Sequence, residues 1–282
     1  MDEKRKSLLG LHASNILLSG TGLFSKLIPL SAIDITALRC LLAAGALLVI
    51  LTLFKRRVLL TGLRDWLLMG LCGLLMCVHW VAYFHAMQVS TVAVGMIALY
   101  TYPIITVFLE PFWQGQRPHR ADMLCGVAVL AGVCLLVPDF SLRSSAALGL
   151  FWGMVSAFAF ALRNVLQRHC LSQYRGDTSL FYQALILGLA VLPFVRQAPG
   201  SLTSSIWVQL GLLAFFCTAV PHSLFAGSLP EVKAKTAGLI GCLMPVYGVA
   251  LAWLVLGEAP ALATVLGGLI ILGAAAFESY RA

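Results

Sequence analysis

The sequence predicts an all-α polytopic membrane protein: ten transmembrane helices arranged as two inverted five-helix repeats, with both termini cytoplasmic. Three observations predict it. The chain has 282 residues, 60% of them hydrophobic and only 11% charged. A soluble domain carries about 25% charged residues, so this chain cannot cover its surface for water. Its apolar runs reach the roughly 20 residues that a spanning helix needs, without the alternation of a membrane β-barrel. Finally, Pro103, Gly115, Pro118 and Gly126 recur as Pro245, Gly257, Pro260 and Gly268, each at the same interval (245 − 103 = 142). A duplicated unit with an odd number of spans places its two copies upside down, a common plan for secondary transporters. The copies are read as 1–142 and 143–282.

Span 1 (8–28) follows Lys4, Arg5 and Lys6. It lacks a small-residue cleavage site at a suitable distance and flows into the bundle, so it reads as a retained helix rather than a signal peptide. Asn15 belongs to the interior, because its amide has no cheap partner in lipid. Lys26, near the far end, is within snorkelling reach of water. Span 2 (34–54) holds Arg39 more than one turn in from Asp34. Arginine keeps its charge and offers a planar fork suited to carboxylate or phosphate. Arg39 therefore reads either as an anchor for an anionic substrate group or as a structural partner of Asp34 or of broken-helix carbonyls. Lys55, Arg56, Arg57 and Arg64 lead into span 3 (66–87), which carries His79, Trp80 and Tyr83. In span 4 (91–113), Tyr100 and Tyr102 flank Pro103. Glu110 reads either as a proton-coupling site or as a partner of Arg117 or Arg120. Span 5 (121–138) is rich in small residues, among them Gly126 and Gly132.

The second copy opens with span 6 (147–167). Arg163 lies near its inner end at a snorkelling position, Asn164 follows, and Gln167 reads as interfacial beside Arg168. Arg175 precedes span 7 (178–195). With one residue inserted, Asp177 and Tyr182 of that segment align with Asp34 and Arg39. Span 8 (206–228) carries His222, the counterpart of Trp80. Lys233 and Lys235 precede span 9 (236–256), which contains Pro245, Tyr247 and Trp253 and closes on Gly257-Glu258. Span 10 (260–277) again is rich in glycine, and Arg281 follows it.

With ten spans, every basic residue just named outside a span falls on one side, together with Arg117 and Arg120. The other side has only Arg143 and Arg196. The positive-inside rule makes the richer side cytoplasmic. The net charge of +8 is thus a topology signal, and no basic patch interleaved with aromatics points to nucleic acid.

Function classes narrow in the same way. The eight cysteines form no Cys-x-x-Cys pair and read as small packing residues. His85 lies six residues after His79, off the same helix face, and no metal-ligand motif exists. No phosphate-binding loop of an ATPase is present, and no cofactor is implied. His79 and His222 read as cavity lining or as packing histidines, and His12, His119 and His169 as boundary residues. Pro103 and Pro245 each remove a helical hydrogen bond and read as paired hinges or as tolerated kinks.

The segment Ala37-Leu38-Arg39-Cys40-Leu41-Leu42-Ala43-Ala44, the mid-span prolines, the Gly257-Glu258 turn, the span count and the duplication together resemble the drug/metabolite transporter superfamily. The resemblance is to its EamA-type family with two five-helix repeats and covers nearly the whole chain. The chain departs from it at Gly115-Gln116, where that family usually has Gly-Glu, while Glu258 keeps the acid in the second copy. The resemblance implies a cavity lined by spans 1–4 and 6–9, with spans 5 and 10 at the rim as packing or homodimerisation helices. It also implies export of small metabolites or amino acids. The expectation is a non-enzymatic secondary active transporter of a bacterial inner membrane, driven by protons or by exchange, with lipid and a small-molecule substrate as partners. Its expected substrate lining is Asn15, Arg39, His79, Trp80, Tyr83, Tyr100, Asn164, Tyr182, His222 and Tyr247. The competing readings are a structural or receptor-like membrane protein and an intramembrane lipid-modifying enzyme.

Overall fold

Four helices begin on a Ser or Thr whose side chain accepts a first-turn backbone N–H: Ser31 from Asp34, Thr91 from Val94, Ser144 from Ala147 and Thr203 from Ile206. Such caps satisfy donors that a helix start leaves orphaned, which matters most where lipid replaces water. The computed structural model describes residues 3–56, 58–113, 115, 120–136, 144–228, 232 and 234–281. Arg57, Gln116, Arg117, Pro118, His119, Arg143 and Lys233 of the sequence reading lie outside them.

Regular structure among the described residues is entirely helical. The first copy contains α1 (Glu3–Ser19), α2 (Thr21–Leu27), α3 (Ala32–Leu53), α4 (Leu63–Val89), α5 (Val92–Leu99), α6 (Tyr102–Trp113) and α7 (Arg120–Leu136). The second contains α8 (Ser145–Cys170), α9 (Gly176–Val191), α10 (Ser204–Ala214), α11 (Val220–Ser228), α12 (Ala234–Gly241), α13 (Met244–Leu256) and α14 (Leu262–Arg281). A π-helical turn, Phe215–Ala219, joins α10 to α11. Seven segments among the described residues are long and apolar enough to cross a membrane. The stretches in α7 and α14 are shorter, Met123–Leu135 and Leu262–Phe277, and span 1 is divided at Gly20 into α1 and α2.

The prolines do more than kink their helices. Span 4 is broken between α5 and α6, and span 9 between α12 and α13. In each case proline is the second residue of the following half-helix, where its missing N–H is tolerated. The two breaks stand at equivalent places in the two copies.

Packing follows the duplication. α4 packs on α8 and α1 on α11, which are equivalent pairs once the copies are exchanged. α6 on α8 and α13 on α1 are a second such set, while α3–α9 and α7–α14 pair each element with its own counterpart. Small residues permit the close approach, as is usual between helices in membranes: a Cβ on Gly153 would strike Ala98 of α5, and one on Gly248 would strike Met96. The outer surface is apolar, with Leu124 71% and Leu254 79% exposed. A lipid-facing surface explains such a distribution; a water-facing one does not.

Candidate substrate cavity

The broken helices converge on a cavity of about 480 Å³. Asn15 and Leu18 of α1 and Thr21 of α2 line it, with Arg39 of α3 and Met76, His79, Trp80 and Tyr83 of α4. The α5–α6 break supplies Leu99, Tyr100 and Tyr102. From the second copy come Phe160, Arg163, Asn164 and Gln167 of α8, Gly176 and Leu180 of α9, Cys217 of the π-turn, and His222, Phe225 and Ala226 of α11. Ala237, Gly241 and Met244 flank the α12–α13 break. No described residue of α7 or α14 lines it, and these two helices pack on each other at the rim.

The lining reaches helix ends on one side only. Gly176 is the first residue of α9, and Ala226 is two residues from the end of α11. On the opposite side it stops at Thr21, Tyr83 and Leu99, each more than one turn short of the end of its helix on that side, which is Leu27, Val89 and Val92 respectively. That opposite side is cross-tied. Lys26 Nζ donates to Ser90 O at 2.7 Å and lies 3.4 Å from Glu258 Oε1. Glu258 Oε2 accepts the Val92 N–H at 2.9 Å, and Gln88 donates to Leu30 O at 2.9 Å. Gly257 makes the Glu258 contacts possible: its φ of 72° is left-handed, the usual helix C-terminal turn, and it swings Glu258 back toward α5. Lys26 is therefore a cross-linking residue rather than a snorkelling one.

Arg39 is 1% exposed. Its guanidinium is flanked by two rings, 4.2 Å from the Trp80 centroid and 4.5 Å from that of Phe84, an arrangement that stabilises a desolvated cation. Nη1 reaches Thr218 Oγ1 at a long 3.5 Å, while Nε and Nη2 have no hydrogen-bond partner among the described residues. Asp34, the alternative partner read from sequence, is engaged elsewhere: it accepts from Ser31 Oγ and from the Arg196 N–H.

Around Arg39 the wall is aromatic. Trp80 and His222, counterparts in the two copies, meet edge-on with centroids 6.4 Å apart. His79 stacks on Phe160 at 4.5 Å, and its Nδ1 lies 2.8 Å from Ser156 Oγ. His222 Nδ1 lies 2.7 Å from Thr218 O. Asn15 donates to Leu11 O at 3.1 Å.

Two residues assigned to the interface belong to the cavity instead. Arg163 Nε donates to Gln183 Oε1 at 2.8 Å and Nη1 to Asn164 Oδ1 at 3.0 Å. Gln167 donates to Ser179 Oγ at 2.9 Å and accepts from Gln183 Nε2 at 3.0 Å. The buried Gln183 holds both inward, an interaction that distance from a helix end does not disclose. The repeat does carry a signal: Arg163 and Phe160 are the counterparts of Thr21 and Leu18, and all four line the cavity.

Three expected residues lie elsewhere. Tyr182 turns to the loop between α3 and α4, where its hydroxyl donates to Val58 O at 2.9 Å, and its ring meets Trp66 at 5.2 Å. Tyr247 is absent from the lining. Glu110 also lies outside it and pairs with Arg168 and His169, each at 3.0 Å. Arg117, one of its alternative partners from sequence, lies outside the described residues. The same end of the bundle carries a part-buried pair, the buried Asp177 with Arg56, joined by the more exposed Arg175 at 3.5 Å.

The model of the EamA-like transporter family matches residues 5–137 and again 147–280. The pseudopaline exporter CntI of Pseudomonas aeruginosa is 24% identical over 82% of this chain and 80% of its own length. A probable amino-acid metabolite efflux pump of Escherichia coli is 28% identical over 63% of this chain and 62% of its own. A solved crystal structure at 19% identity superposes with a TM-score of 0.65, covering 96% of this chain and 95% of that one; it shows the shared fold.

Proposed function

The chain belongs to the EamA-like transporter family, and from that premise we propose that it moves small organic metabolites or amino acids out of the cell by alternating access through this cavity. It is a multi-pass membrane transporter and not an enzyme. In the proposed topology ten spans form two inverted repeats, 1–142 and 143–282, with both termini cytoplasmic, in a bacterial inner membrane. The cavity then opens to the cytoplasm, and the Lys26–Glu258 ties close the far side, as an inward-facing state requires. The observation that carries the reading is a cavity drawn from spans 1–4 and 6–9, with Arg39 in its wall and two buried donors of that arginine unmet among the described residues. Asn15, Arg39, His79, Trp80, Tyr83, Tyr100, Asn164 and His222 form the substrate lining, to which we add Arg163 and Gln167. Pro103 and Pro245 are the hinges. Export is the direction because two relatives carry the names exporter and efflux pump.

The test is flux from proteoliposomes loaded with a bacterial metabolite extract, read by mass spectrometry against empty liposomes. A defined subset of solutes should leave, and leave more slowly with Arg39→Gln. Binding without flux would favour a receptor-like protein, and unchanged affinity and flux in a correctly inserted Arg39→Gln would remove Arg39 from the site.

A further inference from the structure

The cavity holds positive charge that no described side chain balances. Its described lining includes two arginines, Arg39 and Arg163, and no Asp or Glu. Neither arginine forms an ion pair among the described residues. Arg163 spends its Nε and Nη1 on neutral amide oxygens, and Arg39 Nη1 meets only a hydroxyl. Ionised groups within a membrane are expensive and mark substrate pathways, and a buried charge left unpaired is strongly destabilising. Arginine cannot escape the problem by losing its proton.

Geometry narrows what would balance it. The rings of Trp80 and Phe84 lie against the Arg39 guanidinium. The two unmet donors, Nε and Nη2, are the side-on fork of arginine, two parallel N–H groups in one plane. A planar carboxylate accepts both at once, and flanking rings suit its planarity better than a tetrahedral phosphate, whose remaining oxygens stand out of the plane. Arg163 supplies the second charge. It sits on α8 about two turns from its inner end, whereas Arg39 sits about two turns from the opposite end on α3, so the two lie at different depths of one cavity.

We propose that the substrate is a small organic dicarboxylate without a compensating ammonium group, one carboxylate seated on the Arg39 fork and the other in the field of Arg163. The inference rests on the transporter reading and sharpens it, replacing a general metabolite or amino acid with a dianion. The aromatic wall of Trp80, His79 and Phe160 then receives the carbon body between the two carboxylates, and cations are excluded by the two arginines.

The test uses purified full-length protein with defined probes: phthalate and glutarate as dicarboxylates, benzoate as monocarboxylate, phenyl phosphate, L-phenylalanine as zwitterion and tyramine as cation. Thermal stabilisation reports binding by mass action, and counterflow in proteoliposomes reports transport. A dicarboxylate should bind roughly tenfold or more tightly than benzoate, phenyl phosphate or L-phenylalanine, because those leave a buried donor or charge unmet, and tyramine should not bind. Arg39→Lys keeps the charge but not the fork and should weaken every carboxylate by about tenfold. Arg163→Gln should bring dicarboxylates down to benzoate and leave benzoate unchanged. Preference for tyramine, L-phenylalanine or phenyl phosphate, or no binding of either dicarboxylate, overturns the assignment while leaving transport intact. Dicarboxylate binding with no counterflow of any probe keeps the assignment and sinks the transporter reading. Wild-type affinities in both variants, at wild-type thermal midpoints without ligand, also overturn it.

Discussion

Tyr100 donates its hydroxyl to the Gly241 carbonyl at 2.7 Å. That carbonyl is the one left without its helical donor by Pro245, four residues on. Tyr100 itself caps the end of α5 at the break before Pro103. The two helix breaks, one in each copy, are therefore joined by a single hydrogen bond beside the cavity. In lipid a stranded carbonyl is costly, so the bond stabilises the conformation in which it forms.

Tyr100→Phe should orphan the carbonyl and destabilise this state by about 1–3 kcal/mol, the usual penalty for an unsatisfied buried group. Thermal unfolding in detergent measures the loss. Pro245→Ala restores the missing donor and should stiffen the hinge. Crosslinking between cysteines placed on either side of the break should then exchange states more slowly than in wild type; equal exchange would end the hinge assignment.

The Lys26–Glu258 contact predicts a gate. Glu258→Gln removes the ion pair and weakens the hydrogen bond to Val92. With about 1.5–3 kcal/mol at stake for a charged hydrogen bond, the closed end should open roughly tenfold or more often. Labelling of a cysteine introduced at Thr21 from the side opposite the termini reads the change, and wild-type labelling would show that other contacts hold this end shut.

At the other end, Asp177 is fully buried, pairs with Arg56 and Arg175, and accepts its own helix's Thr178 N–H. Asp177→Asn should cost about 1–3 kcal/mol, the range for a charged hydrogen bond lost at a buried acceptor, because Arg56 and Arg175 keep access to water. The drop should appear in thermal unfolding without bound substrate, and a shift confined to transport kinetics would contradict it.

Glu110 offers a test of energy coupling. It stands outside the cavity, so Glu110→Gln should leave substrate affinity unchanged. If its pairs with Arg168 and His169 form the proton-coupled element, the variant loses its response to a pH gradient in liposomes while counterflow persists. An equal response to the gradient in variant and wild type assigns the coupling elsewhere.

Much of this was legible in the sequence because lipid imposes few solutions. A chain so poor in charge must form spanning helices, and the repeat interval fixed which positions correspond, down to the matched breaks before Pro103 and Pro245. The pairing of Trp80 with His222 was legible for the same reason. What sequence could not supply was the direction of each polar side chain. Arg163 and Gln167 looked like residues reaching for water, yet Gln183, on another helix, turns them inward. Tyr182 occupies the counterpart position of Arg39, yet points to Val58, as the proposed inversion of the copies, which carries equivalent positions to opposite ends of the bundle, requires. Asp34 was one of the partners open to Arg39, yet its carboxylate accepts the hydroxyl of the capping Ser31 and a backbone N–H of Arg196. Composition and periodicity set the helices and the repeat, since those depend on the sum of many residues. The charge of the cavity was decided only by tertiary structure, since it depends on which few side chains meet and which find no partner.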